Sequence, residues 1–294
     1  MSDTSQVRKT DFKIAAVDGT PLAASLYERF SKPTAGVVII NSATGVRRHF
    51  YDAYARYLAT NGFHAVTYDY RGVGDSRPSS LRGFNACVQQ WGQLDVDGVI
   101  AWASERYPNE KLNIVGHSVG GVLLGLTSNT DLIDRAVFVA PQSGYWRLLP
   151  VPYKQAWAFL WYVANPVLTK IFGYFPAKRL GLGEDLPAGV MSEFGLWACD
   201  PEYIVSATHG VSRSGFERIR APVLAYSIED DTTAPRAAFH AILELYTNAH
   251  IERRHLKPQE LGMTKIGHFG FFRLGPAVPV WAESCQWLTK KEDR

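Results

Sequence analysis

A chain of 294 residues, 46% hydrophobic and 20% charged, is long enough for one α/β core with an inserted subdomain. Its formal net charge is only +3, and its basic residues are scattered apart from short pairs such as Arg47-Arg48 and Arg253-Arg254, which excludes a nucleic-acid-binding stripe. Three widely spaced cysteines (Cys87, Cys199, Cys285) form no CxxC pair, so neither a disulfide framework nor a metal site is expected.

The polar N-terminus, Met1 to Phe12, lacks the apolar run of a secretory signal, and a cytoplasmic location follows by default. Phe12–Val17 and Leu22–Tyr27 flank Asp18-Gly19-Thr20-Pro21 and read as a hairpin. Gly36–Ile40 (GVVII) is a continuous apolar run, which fits a strand buried on both faces as parallel sheets require. Strand and helix signals then alternate: helix 50–60, strand 64–70, helix 88–105, strand 112–116, helix 119–128 and strand 136–140. After an interruption come strand 223–228, helix 235–246, strand 251–256 and a closing helix 278–288. This order predicts an α/β fold: a mostly parallel central sheet with helices on both faces and an antiparallel edge from the opening hairpin.

The interruption, 142–218, is rich in aromatic residues and proline and poor in strand signal. It is expected to be a mainly helical cap over the C-terminal edge of the sheet, where open α/β sheets bind ligands, with 1–141 and 219–294 forming the core. Its most apolar stretch, Ala156–Leu168, is too short to cross a bilayer and is expected to form a buried or half-buried helix. Membrane association is not expected; a homodimer is left open.

Gly116-His117-Ser118-Val119-Gly120-Gly121 matches G-x-S-x-G between a predicted strand and a predicted helix. In that setting the serine is forced into a strained turn with its hydroxyl exposed, and the glycines admit neighbouring backbone. A serine hydroxyl needs a base. Of eight histidines, His268 is best placed, flanked by glycines in Ile266-Gly267-His268-Phe269-Gly270 after the last strand. His117 is adjacent to Ser118, points away from its hydroxyl and reads as structural; a substrate contact by His209 stays open. The base needs a carboxylate, and Glu229-Asp230-Asp231 follows strand 223–228. Asp231 is favoured, with Asp230 its competitor. For the oxyanion, the backbone N–H of Val119 is one expected donor; the second is expected from Ala43, with Thr44 close behind.

Together GHSVGG, the Asp69–Ser76 segment DYRGVGDS, EDDTTAP and IGHFGFF resemble the α/β-hydrolase superfamily, and more closely its bacterial predicted-hydrolase, serine-aminopeptidase-like (S33-type) branch. The likeness spans roughly 12–142 and 223–288. It implies a serine hydrolase needing no metal or cofactor, with an arginine and acids in DYRGVGDS bracing a turn. The aromatic insertion points to a small-molecule substrate with a small or medium apolar acyl or alkyl group, and so to a carboxylesterase. Aminopeptidase, thioesterase and other acyl-transfer activities share these residues. For an aminopeptidase, Glu184, Asp185, Glu193, Asp200 and Glu202 are candidate amine anchors. A non-catalytic small-ligand-binding protein is the alternative from another class.

Overall fold

The computed structural model describes residues 7–29, 34–275 and 279–290. Strands β1 (Arg8–Ala15) and β2 (Pro21–Glu28) pair antiparallel around the predicted turn, where Gly19 adopts φ 80° and the Asp18 carboxylate accepts from Thr20 N–H. β3 (Gly36–Asn41), helix α1 (Asp52–Thr60) and β4 (Phe63–Tyr68) follow. A continuous helical run then covers α2 (Val88–Gln90), a π turn (Trp91–Val96) and α3 (Asp97–Arg106). Next come β5 (Leu112–His117), α4 (Val119–Val122) and β6 (Ile133–Val139).

Between β6 and the next core strand lie α5 (Tyr153–Phe159), α6 (Asn165–Phe172), the short pair β7 (Tyr174–Phe175) and β8 (Leu186–Pro187), α7 (Ala188–Ala198) and α8 (Arg213–Glu217). β9 (Val223–Ile228), α9 (Arg236–Leu243), β10 (Ile251–Leu256), α10 (Gly267–Gly270) and α11 (Pro279–Thr289) complete the chain. Val278, the first residue of the predicted closing helix, lies outside the described residues.

The eight-stranded sheet has the order β1-β2-β4-β3-β5-β6-β9-β10. β1, β2 and β4 pair antiparallel, and every other neighbouring pair is parallel. Successive side chains point to opposite faces, so strands covered on both sides, as β3, β5 and β9 are, are buried throughout. Val37 and Ile39 of β3 enter one core cluster, while Val38 and Ile40 enter the cluster on the other face. Full burial of each such side chain contributes about 1.5–3 kcal/mol. The chain steps from β3 outward to β4 and then crosses to β5, so the sheet reverses direction between β3 and β5. The loops leaving those two strands meet at the C-terminal edge, where such a reversal opens a crevice.

Two expectations are corrected here. The helix after Ser118 is shorter than predicted: α4 stops at Val122 and a 3-10 turn (Leu123–Leu126) replaces the rest. Gly120, Gly121 and Gly125 weaken the helix, and a Cβ on Gly125 would collide with the Phe216 ring. Strand 64–70 ends at Tyr68, because Asp69 turns away to serve Arg48. The stretch 156–168 forms the half-buried helix expected: Leu160, Trp161 and Leu168 pack on the core while Phe159, Tyr162, Val163 and Val167 are exposed. Its α5 and α6 join through a π turn, Leu160–Ala164, just before Pro166, whose missing N–H and ring disfavour an unbroken α-helix.

The segment between β6 and β9 does not hold a core of its own. Phe175, Leu186, Val190, Met191, Phe194, Trp197 and Ile204 belong to the same cluster as Trp91, Val99 and Ile114 beneath the sheet.

Candidate active site

Ser118 lies one residue past β5, in backbone that L-residues avoid (φ 55°, ψ −120°), and its N–H is tied to Val139 C=O at 2.9 Å. Two glycines make the turn physically accessible. A Cβ on Gly116 would sit 2.6 Å from Gly121 N, and one on Gly120 would strike the Asn41 carbonyl. Asn41, at the end of β3, donates its side-chain amide to Gly120 C=O (3.2 Å) and accepts from the Tyr68 hydroxyl (2.8 Å). The turn is therefore clamped to two neighbouring strands.

His268 lies past β10, in the short helix α10. Its Nδ1 lies 2.7 Å from Asp231 Oδ2. The carboxylate can only accept, so Nδ1 carries a proton, the tautomer in which a neutral ring offers its lone pair at Nε2. The other Asp231 oxygen accepts from Thr233 N–H (2.8 Å) and Ala234 N–H (2.9 Å), which caps the turn before α9 and fixes the carboxylate. Asp230 does something different: its two oxygens accept from Ile266 N–H (3.0 Å) and Gly267 N–H (2.9 Å). It holds the backbone of the loop whose next residue is His268.

Ser118 Oγ is within hydrogen-bond distance of Gln142 Oε1 (3.2 Å). Gln142 follows β6 past Ala140, itself in left-handed backbone at φ 49°. No motif marks Gln142 in the sequence; the one signal is its position three residues beyond the end of β6, next to the elbow. Ser118, Asp231 and His268 are 4%, 4% and 9% exposed, so the site is closed in this structure. Recesses of about 440 Å³ (beside Arg218 and Arg220) and 240 Å³ (beside Ser143 and Tyr203) are not lined by any of the three.

A buried relay underlies the site. Ala43 N–H donates to the Tyr51 hydroxyl (2.8 Å), which lies 2.9 Å from His117 Nδ1, and His117 Nε2 lies 2.9 Å from the His268 carbonyl. A carbonyl only accepts, so Nε2 carries the His117 proton, Nδ1 accepts, and Tyr51 donates to it. Burial first, and the nearby His268 second, hold His117 well below the ordinary histidine pKa, against the opposing pull of its bond to the His268 carbonyl. It is a neutral strut between three loops. The amide of Ala43, an expected oxyanion donor, is paired with Tyr51 in this structure; Thr44 is the next residue of the same loop. Val119, as the first residue of α4, has no acceptor for its N–H inside the helix.

The DYRGVGDS segment carries the expected bracing. Arg71 binds Asp95 (2.7 Å) and Asp18 (2.8 Å), and Arg48 binds Asp69 and Asp75 (2.5 Å each). Four of the candidate amine anchors are engaged: Glu184 by Arg47 and Lys178, Asp185 by Arg77 and Lys178 N–H, Glu193 by Gln89, and Asp200 by Glu202 N–H. His209, 3.5 Å from Asp200, lies within that same region.

An open, mostly parallel sheet with a serine on a strained turn at its C-terminal edge defines the α/β-hydrolase class of fold. The chain belongs to the family described as serine aminopeptidase, S33, which matches residues 32–178, half of its length, and it is by that family a serine hydrolase. No curated protein matches it. Among solved structures it is similar to an esterase from Pyrococcus furiosus (15% identity, 97% of this chain and 92% of that one, TM-score 0.64). It is also similar to an esterase from Exiguobacterium antarcticum (14% identity, 96% and 100% covered, TM-score 0.62). A third is brefeldin A esterase, a bacterial homologue of human hormone-sensitive lipase (16% identity, 97% and 77% covered, TM-score 0.61). At these identities the likeness is one of fold.

Proposed function

We propose that this protein hydrolyses carboxylic esters with small or medium apolar groups through an acyl-enzyme on Ser118. One observation carries the reading: a histidine whose Nδ1 is held 2.7 Å from a capped carboxylate, on loops that leave the same sheet edge as a strained serine. In the proposed reaction the Ser118 hydroxyl leaves Gln142 and turns to His268 Nε2. Its oxygen attacks the ester carbon as its proton passes to Nε2, and Asp231 stabilises the imidazolium. The N–H groups of Val119 and Thr44 are the proposed donors to the oxyanion. Collapse breaks the ester C–O bond, and the alcohol leaves with the proton from His268. Water repeats the sequence on the acyl-enzyme, giving the acid and free Ser118.

Two features favour an ester over a peptide N-terminus. Glu184, Asp185, Glu193 and Asp200 already have partners, which leaves them poorly suited to anchor an ammonium group. The structural neighbours quoted above are described as esterases, which supports the same reading.

Hydrolysis of p-nitrophenyl esters from acetate upward in chain length tests it. The wild type is expected to favour short or medium chains, with Ser118→Ala at the uncatalysed rate. Equal rates for wild type and Ser118→Ala on every ester, with both folded, overturn the proposal.

A further inference from the structure

The helical run from Tyr153 to Phe172 presents apolar residues to solvent. Tyr153, Phe159, Tyr162, Val163, Val167 and Ile171 are 44% to 61% exposed, and from Phe159 onward they recur every three or four positions along one face. Twenty residues of helix make a rod about 30 Å long. Leu160, Trp161 and Leu168, on the opposite side, pack against the core. A helix on a water-facing surface normally carries its charges outward. Here the outward stripe contains a single charge, Lys170, and contiguous exposed apolar area of this kind marks an interaction surface.

The charge within this segment has one sign. Between Gln142 and Gly183 the chain has Arg147, Lys154, Lys170, Lys178 and Arg179 and no aspartate or glutamate. Lys178 is paired with Glu184; the other four have no acidic partner among the described residues. Arg147 lies over the Trp146 ring and Arg179 over the Phe172 ring, each at 5.2 Å. Apolar stripe, aromatic rings and unneutralised cations together are the composition of a helix that lies in the plane of a membrane surface.

We propose that this face docks the protein onto a bilayer bearing anionic headgroups, with the helix lying flat and its apolar side chains dipping below the headgroups. No helix among the described residues is long and apolar enough to cross a membrane, so contact would be one-sided. A second copy of the chain is a poorer occupant. A two-fold contact through the stripe sets the same four unpaired cations of each copy against those of the other. Apolar side chains alone would treat neutral and anionic surfaces alike; the cations are what select.

Flotation of the whole protein with vesicles of phosphatidylcholine alone, and of phosphatidylcholine mixed with phosphatidylglycerol, tests the proposal without reference to catalysis. Flotation is expected with the mixed vesicles and is expected to weaken as salt is raised. Lys154→Ser and Lys170→Ser should each weaken it about fivefold. Phe159→Asp with Val167→Asp should abolish it while leaving the circular dichroism unchanged, because both side chains face outward. If that pair disturbs folding, the lysine variants still decide. Three results overturn the proposal: no flotation with either vesicle, flotation indifferent to headgroup charge, or a solution dimer that Phe159→Asp with Val167→Asp dissociates.

Discussion

Asp230 and Asp231 are neighbours in the chain, yet one holds a side chain and the other a backbone. Asp231 faces His268 Nδ1 at 2.7 Å, and its replacement by asparagine leaves a group that can present N–H to the ring and favour the wrong tautomer. On the proposed mechanism Asp231→Asn should lower kcat about 10⁴-fold. Asp230→Asn keeps one good acceptor for the Ile266 and Gly267 N–H groups and loses the charge behind both bonds. It should cost about 1–3 kcal/mol of stability and far less activity. Ester hydrolysis and urea midpoints on the two variants check this, and the opposite ranking in kcat would mean that Asp230 is the residue orienting the base. Sequence alone favoured Asp231 but had no means of separating two acids one residue apart, because the distinction lies in which loop each oxygen meets. Ser118 and His268 stood out because flanking glycines are a short-range signal. Gln142, Tyr51 and the relay through His117 were invisible for the opposite reason: each reaches its partner from a segment with no pattern of its own, and the Tyr51 hydroxyl is what takes the Ala43 amide.

The elbow depends on how closely α4 can approach β3. Gly120 has no unusual φ, so alanine there meets no conformational penalty, only the Asn41 backbone, which cannot yield without opening the β3–β5 pairing. Gly262 is the converse, at φ 67° with open space around it. Gly120→Ala should destabilise by about 3 kcal/mol through overpacking and abolish ester hydrolysis even where the variant remains folded. Gly262→Ala should cost about 1 kcal/mol, from the left-handed backbone alone, and leave activity intact. Urea denaturation with rates measured on the folded fraction separates the two; equal effects would show that α4 is not pinned by this contact. Core strands were legible to within a few residues because burial on both faces writes a short, nearly unbroken apolar run, as in 36–40 and 223–226. Helices were less so. Their ends are set by tertiary contacts, as with the glycines after Ser118, and the outward turn of 159–171 cannot be read from hydropathy, which records apolar residues but not the side from which they are covered.

Stability of the whole molecule against pH reports on the relay that joins the elbow to the His268 loop. His117 is fully buried, neutral, and held well below the ordinary histidine value of 6.5 by burial, with His268 adding to the effect. In the unfolded chain it regains that ordinary value. Above pH 6.5 neither state carries the proton and its neutral form costs nothing. As pH falls below 6.5 the unfolded chain takes up a proton that the folded one refuses, so stability is lost progressively down toward the depressed folded value. One such proton gives a slope of up to about 1.4 kcal/mol per pH unit. Asp95, buried beside Arg71, acts in the same range with the opposite sign: burial raises it to about 7, so the folded state keeps a proton that the unfolded chain has lost. Asp18, drawn down to about 2 first by its bond to Arg71, loses its contribution only below the ordinary carboxylate range. Between about pH 6.5 and 5 the slope is therefore a balance of His117 and His255, both held down by burial, against Asp95, and the difference between the wild type and a His117 variant isolates His117. His117→Phe should be less stable at neutral pH, since Tyr51 and the His268 carbonyl each lose a partner, yet its stability should fall more gently over that window. Urea midpoints at half-unit pH steps give both curves. Parallel slopes for wild type and His117→Phe would mean that another group takes up the proton, and that the strut between the loops is not neutral in the folded protein.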